Sequence, residues 1–397
     1  MQGLKIQLPS EVTDSTLPKL GEYRISLIGC GDLSSFTKFN VYMLREGAKI
    51  SVVGGFFSSG VTPANIGTAF SSTKGWNIFN VVATQKNAYI AIEDISAIER
   101  FGSRASSTLF AACHSPVDSP IPIIDLDNLP RGLVSLYNNW GALRGSVRGL
   151  TNCKNLVSFC SQKTRDNIQL TWLNTNPALE EEWVTGVLGD YGTSEWIATP
   201  IWPDLQEFLL QTRGDCRIST SALSNLSLLD TFEFVGETFG ERICDLRMTG
   251  DIWDIRTTPI KTLIIAGDGM LDGIGGNMSV FKDNIPSLTT INLQKNTKII
   301  GSMSNLPAGI VNAHFNINTN IVGYTARAYT GTLNNFVFPV ATQSTAVLDA
   351  ILIDLAKANW VGSSKIILRG ARSSASDASV ATLKAKGVSV YINQVLQ

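Results

Sequence analysis

Leu288-Thr289-Thr290-Ile291-Asn292-Leu293 sets apolar side chains at its first, fourth and sixth positions, and this apolar-x-x-apolar-x-apolar pattern returns along the chain. It recurs at Leu229-x-x-Phe232-x-Phe234, Ile260-x-x-Leu263-x-Ile265, Ile310-x-x-Ala313-x-Phe315 and Leu333-x-x-Phe336-x-Phe338. Measured at the middle residue, successive copies lie 31, 28, 22 and 23 residues apart. A strand returning at this period marks a solenoid, in which each coil buries its apolar edge only against its neighbours. The expected fold class is a β-rich, leucine-rich-repeat-like solenoid with irregular repeats of 22–31 residues and a C-terminal α/β cap. Such folds present binding or scaffolding surfaces more often than active sites.

The pattern extends in both directions. Leu205-x-x-Phe208-x-Leu210, Leu156-x-x-Phe159 and Leu133-x-x-Leu136 continue it towards the N-terminus, with weaker copies at Phe110-x-Ala112, Ile78-x-x-Val81 and Phe36-x-x-Phe39-x-Val41. Ile366-x-Leu368 and Val388-x-Val390-x-Ile392 continue it towards the C-terminus, the latter as a closing strand. Gaps of 42 residues between Phe39 and Val81 and 49 between Phe159 and Phe208 require an insertion or a degenerate coil. A second signature follows several strands: a Gly or acidic residue, a short apolar turn, then Asn-Leu-Pro. Gly301-Ser302-Met303-Ser304-Asn305-Leu306-Pro307 is the plainest copy; Asp94–Ile98, Asp125–Pro130 and Ser221–Leu226 are variants. Their apolar residues should point inwards on the return side, with Gly and Pro setting the bend.

This reading divides the chain into an N-terminal cap or anchor (1–30), irregular repeats (31–173), an aromatic and acidic insertion (174–203), regular repeats (204–343) and a helix–strand cap (344–397). In the cap, Leu348, Ile351, Leu352 and Leu355 recur at helical spacing, and a second short helix carries Val380 and Leu383. Ser376 is its expected N-cap and Gly387 its C′ residue. A helix laid over the last coil would hide the unpaired edge.

Charged residues make up 16% of the 397, against roughly 25% in typical soluble domains. Ser, Thr, Asn and Gly carry the polarity instead. A formal net charge of −1 with no basic run gives no footprint for nucleic acid or anionic lipid. No run of about 18 apolar residues predicts a membrane span, and the start, Met1 to Pro9, lacks the pattern of a secretory signal. The cysteines, Cys30, Cys113, Cys153, Cys160, Cys216 and Cys244, show no C-x-x-C spacing and read as small buried fillers, with a structural disulfide as the alternative.

No catalytic, metal or cofactor site is expected. His114 and His314 lie 200 residues apart, too far for a shared site in a solenoid. His314 should face outward and exposed, and His114 with Asp118 sits in a Ser/Pro-rich loop. The glycine-rich run Gly267–Gly276 lacks the order of a phosphate loop and reads as an inter-coil loop; Asp268 and Asp272 alone are too few ligands for calcium. Glu180, Glu181, Glu182, Asp190 and Glu195 read as a solvated acidic loop. The insertion also holds Trp183, Tyr191, Trp196 and Trp202, with Trp172 just before it. These rings either pack as a local core or project as contact area for a protein or a sugar. Trp183, Tyr191, Trp196 and Trp202 are the candidate binding residues.

Ile300–Pro307, and near the C-terminus Leu352–Ala356, Trp360–Lys365, Arg372–Ala378 and Leu383–Val388, resemble elements of leucine-rich-repeat-like proteins of Bacteroidetes phages and prophages. Met303 stands where that group has Ile. The resemblance spans 205–397 well and 120–170 loosely, and the first hundred residues depart from it. It implies a solenoid with a virion role, such as a tail fibre, tail tip or capsid decoration, and carries no catalytic residues. The function expected is a non-enzymatic virion binding module made in the host cytoplasm. Its partners would be other virion proteins, a bacterial surface protein or glycan, or further copies of itself. The alternatives are a bacterial surface or contractile-injection-system adhesin of the same fold, or a carbohydrate-active enzyme using Glu181 and Glu195.

Overall fold

The computed structural model describes residues 20–28, 36–62, 67–85, 88–102, 112–113, 121–138, 142–144, 147–161, 202–212, 216–236, 246–267, 270–272, 274–294, 298–316 and 320–397. The fold is strand-rich, and its largest sheet, of 16 strands, is mostly parallel. Ile98–Phe101, Ser135–Asn138, Ser158–Ser161, Glu207–Thr212, Thr231–Gly236, Thr262–Gly267, Thr290–Gln294, Asn312–Asn316, Thr332–Gln343, Asn359–Gly370 and Ser389–Ile392 each pair in parallel with the next. The middle residue of the apolar pattern is the register residue. Leu136, Phe159, Phe208, Phe232, Leu263, Ile291, Ala313, Phe336, Ile366 and Val390 face one another in a single column. None is more than 1% exposed.

Strand alternation turns the sixth position of the pattern to the same side as the fourth, and Phe234, Ile265, Leu293 and Phe315 are fully buried. The first position closes a tight turn that recurs from rung to rung. Its N–H donates to the carbonyl three residues back: Leu156 to Cys153, Leu205 to Trp202, Leu229 to Leu226, Leu288 to Ile285 and Ile310 to Pro307. Rings stack between rungs, Phe208 on Phe232 at 5.4 Å and Phe315 on Phe338 at 4.8 Å. Each buried Leu or Phe contributes about 1.5–3 kcal/mol. Since Phe159 pairs directly with Phe208, the ladder crosses the 49-residue gap without a missing rung.

On the return side the expected turns are short 3-10 segments, among them Leu126–Asn128, Thr220–Leu223 and Met303–Asn305, and Ile252–Ile255 is a further one; Leu126, Ala222, Leu223, Ile252, Ile255 and Met303 are buried, while Trp253 is exposed. The glycine-rich run is not simply a loop. Met270–Asp272 joins Cys216–Ser219 and Leu246–Thr249 in a three-stranded parallel sheet, and Gly275–Asn277 pairs with Lys298–Ile300. Asp268 lies outside the described residues.

The first hundred residues correct the repeat expected there. Phe36–Met43 runs antiparallel to Gly75–Ala83, with Phe39 opposite Phe79 and Thr37 opposite Val81, so the copies at Phe39 and Val81 are not successive parallel rungs. Antiparallel strands alternate apolar residues as parallel ones do, and the pattern carries no strand direction. Ala112–Cys113 also pairs antiparallel, with Phe36 and Thr37. Tyr23–Ile28, from the segment expected to cap the array, is an interior strand of a second, six-stranded sheet. The two sheets meet through Tyr23 on Phe101 at 5.2 Å and Phe57 on Phe70 at 5.0 Å.

At the other end, helices Thr345–Lys357 and Asp377–Ala385 connect the last three parallel strands. Leu348, Ile351, Leu352 and Leu355 are fully buried, as their spacing predicts. Gly387 has the left-handed conformation expected of C′ (φ +79°). Ser376, expected to cap the second helix, makes no capping bond; its hydroxyl donates to Asp349 instead. The outer edge differs as well. Asn393 and Gln394, both at positive φ, turn Ser389–Ile392 into a hairpin, and the two-residue strand Val395–Leu396 ends the sheet.

Candidate binding surface

Between the buried positions, each rung points two residues away from the core. One outward column runs Ser135, Ser158, Glu207, Thr231, Thr262, Thr290, Asn312, Asn335, Lys365, Ser389; the next runs Tyr137, Cys160, Leu209, Glu233, Ile264, Asn292, His314, Val337, Ile367, Tyr391. Strand spacing of about 4.8 Å brings like groups into hydrogen-bond range. Asn335 Nδ2 donates to Asn312 Oδ1 at 3.1 Å, and Asn312 Nδ2 to Thr290 Oγ1 at 3.4 Å. From Thr231 onward these columns carry one carboxylate, Glu233, one ammonium, Lys365, and one imidazole, His314. The chain's low charge thus emerges here as a face of hydroxyl, amide and aliphatic groups.

The two ends of this face differ in exposure. Ser135, Tyr137, Ser158, Cys160 and Glu207 are all more than nine-tenths buried although their columns face outward, whereas Thr231, Thr262, Thr290, Asn312 and Asn335 are half-buried. The Glu207 carboxylate accepts from the Tyr137 hydroxyl at 2.8 Å and from Ser158 Oγ at 3.5 Å, bridging three adjacent rungs. Neither the apolar pattern nor residue type signals this buried carboxylate. Cys153 and Cys160 are buried, as fillers should be; burial pushes the Cys153 thiol up to about 12, and its Sγ donates to the Pro130 carbonyl. The side chains of the other four cysteines lie outside the described residues.

Of the candidate binding residues, Trp183, Tyr191 and Trp196 lie outside the described residues, as do Trp172, the acidic cluster Glu180, Glu181, Glu182, Asp190 and Glu195, and His114 with Asp118. Trp202 is corrected: it is a core residue, 2% exposed. Its Nε1 donates to the Leu150 carbonyl at 3.0 Å, and its ring tilts against Phe208 at 6.2 Å. The signal was present in the repeat, because Trp202 stands three residues before Leu205, where other rungs place buried Cys153, Leu226 and Ile285. His314 does face outward but is half-buried rather than exposed; burial, and then the Lys365 charge, lower its pKa.

Two further polar clusters escaped the sequence, and both lock the C-terminal cap. The Asp354 carboxylate accepts from the Arg327 backbone N–H at 2.7 Å, Lys357 Nζ at 3.0 Å and the Tyr324 hydroxyl at 3.2 Å. Arg327 Nη1 donates to the Ser304 carbonyl at 2.7 Å and also to that of Leu306, and its guanidinium covers the Tyr329 ring at 4.9 Å. Burial raises the Tyr324 pKa and pushes Tyr329 up to about 12, keeping both hydroxyls protonated. Asp349 accepts from Ser373 N at 3.0 Å and from the Ser373 and Ser376 hydroxyls. Burial alone would raise its pKa, but these bonds and the Arg372 charge hold it below the ordinary carboxylate value.

Among the described residues no group of three or more His, Cys, Asp or Glu side chains is placed to hold a metal ion, and no helix is long and apolar enough to cross a membrane. Comparisons with protein-family models, with curated proteins and with solved structures find no match.

Proposed function

We propose that the chain is a leucine-rich-repeat-like solenoid serving as a non-enzymatic phage virion protein, a tail-fibre, tail-tip or capsid-decorating module that binds through its outward sheet face. The observation that carries this reading is the single register column, in which ruler residues 22–31 residues apart in the regular stretch stack rung upon rung. Eight strands from Glu207–Thr212 to Ser389–Ile392 at about 4.8 Å spacing span ~34 Å, and five residues per strand give ~17 Å of width. That is roughly 570 Å² of flat face, to be compared with the ~800 Å² each partner buries in a standard interface once flanking loops are added. A rigid, nearly neutral face of hydroxyls and amides supports recognition by shape and hydrogen bonding rather than by charge steering.

Mass spectrometry of purified phage particles from a host carrying the gene tests the reading. The chain should be present at stoichiometric abundance, its copy number separating tail from capsid. Absence from particles together with presence on the host envelope would overturn the virion role in favour of a bacterial adhesin.

A further inference from the structure

The antiparallel end of the large sheet carries one register row unlike any other described. Trp76, Tyr42 and Arg100 face one another on three adjacent strands. All three point outward, because their strand neighbours Asn77, Val41, Met43 and Phe101 are buried. The rings of Tyr42 and Trp76 meet edge to face, centroids 5.3 Å apart and planes at 81°, leaving an open corner rather than a closed stack. Trp76 is 37% exposed and Leu44, two residues beyond Tyr42, 45%. On the other side of Tyr42, Arg100 Cζ lies 5.8 Å from the ring centroid.

A β-bulge aims this arginine. Met43 pairs with Ile98 while Tyr42 pairs with Arg100, so Glu99 is the extra residue. Glu99 takes Arg100 Nε at 2.8 Å, and the two terminal nitrogens make no hydrogen bond among the described residues. The guanidinium is thereby held at one edge with its other donors open to solvent. A cross-strand aromatic pair stabilises a sheet by itself, but it needs neither an exposed indole nor an oriented guanidinium beside it.

We propose that this row binds an acidic sugar residue of the uronic-acid type, the C–H face of the pyranose lying in the Trp76–Tyr42 corner and its carboxylate accepting from the Arg100 terminal nitrogens. The charge supports an anion. Lys38 points to the same side of the Tyr42 strand, and the nearest carboxylate, Glu99, is already engaged. Carboxylate recognition by guanidinium is strong because two charge-assisted bonds form together. This site deepens the proposed binding role and rests on it.

Affinity electrophoresis of the full chain through gels containing polygalacturonate, with dextran as the neutral control, tests the assignment. Polygalacturonate should retard the wild type and dextran should not. Arg100→Gln and Trp76→Ala should each weaken retardation roughly tenfold or more, the equivalent of about 1.4 kcal/mol. Arg100→Gln changes an exposed side chain, so its melting temperature should match the wild type and separate lost binding from lost folding. Equal retardation of wild type and Arg100→Gln, or none of the wild type, would overturn the assignment. If Trp76→Ala particles lost adsorption to host cells while polygalacturonate failed to bind, the occupant would be a protein segment instead. The sugar assignment would then fall while the chain's presence in particles left the virion role standing.

Discussion

Replacing Gly276 with alanine probes the return-side turns where they are tightest. Gly250, Gly276 and Gly301 precede three successive turns with φ of +105°, +113° and +129°. The next residue in each accepts an N–H two positions on: Trp253 to Asp251 at 2.8 Å, Ser279 to Asn277 at 2.9 Å and Ser304 to Ser302 at 3.1 Å. A Cβ on Gly276 would lie 2.3 Å from Asp251 Oδ1 and 2.6 Å from Ile252 Cγ1. Alanine at positive φ costs about 1–2 kcal/mol. Displacing the Asp251 cap costs about 0.5–2 kcal/mol more, and shifting Ile252 in a packed core about 1–3 kcal/mol. Gly276→Ala should therefore lose roughly 2.5–7 kcal/mol in urea denaturation. Gly47→Ala is the control: φ is +92° and nothing lies within 4 Å, so only the backbone cost of about 1–2 kcal/mol applies. Hydrogen exchange should place the loss of protection around residues 250–256 if unfolding is local. Equal losses for the two variants would refute the packing argument.

Trp202→Ala should cost about 3–5 kcal/mol in urea denaturation, and Trp202→Phe about 1–3 kcal/mol through the unpaired Leu150 carbonyl; a change under about 0.5 kcal/mol for Trp202→Ala would place the ring outside the core. His314 has a lowered pKa, so the unfolded chain binds its proton first. Its contribution to stability is full above about pH 6.5 and declines as pH falls from there to the lower folded value. Thermal melts of His314→Gln should lack that decline, and an unchanged slope would contradict the assignment. For Asp349 the sign is the same but the window is lower: its stabilisation is present above about pH 3.9 and lost as pH falls through the lower folded value. Asp349→Asn should cost about 1.5–3 kcal/mol at pH 7, and less near pH 3; an equal cost at both would show that charge plays no part.

What the sequence revealed was the inward side of the ladder. Burial of a few apolar residues per rung dominates the energetics, and the residues that obey it, Phe232, Leu263, Ile291 and Phe336, are the ones that set the register. Strand direction was not legible, because Phe39 and Val41 alternate as a parallel rung would. Glu207 is buried on an outward column, and its partners Tyr137 and Ser158 stand 70 and 49 residues away, so nothing local to its rung announces that. The Trp76–Tyr42–Arg100 row was hidden for a related reason: its members lie 34 and 58 residues from Tyr42 and meet only through antiparallel register and a bulge. Trp202 was readable by repeat position and was misassigned by its proximity to the other tryptophans.

The account rests on consecutive strands stacking in one register, and paired cysteines test this directly. Asn292 and His314 are opposite each other on adjacent strands, with outward side chains. At a strand spacing of about 4.8 Å their Cα atoms fall within disulfide range. Asn292→Cys/His314→Cys should oxidise to an intramolecular disulfide, identified by peptide mass spectrometry, while Asn292→Cys/Asn312→Cys, two residues out of register, should not. Efficient closure of the second pair and not the first would contradict the register, and with it the face on which the function is proposed to depend.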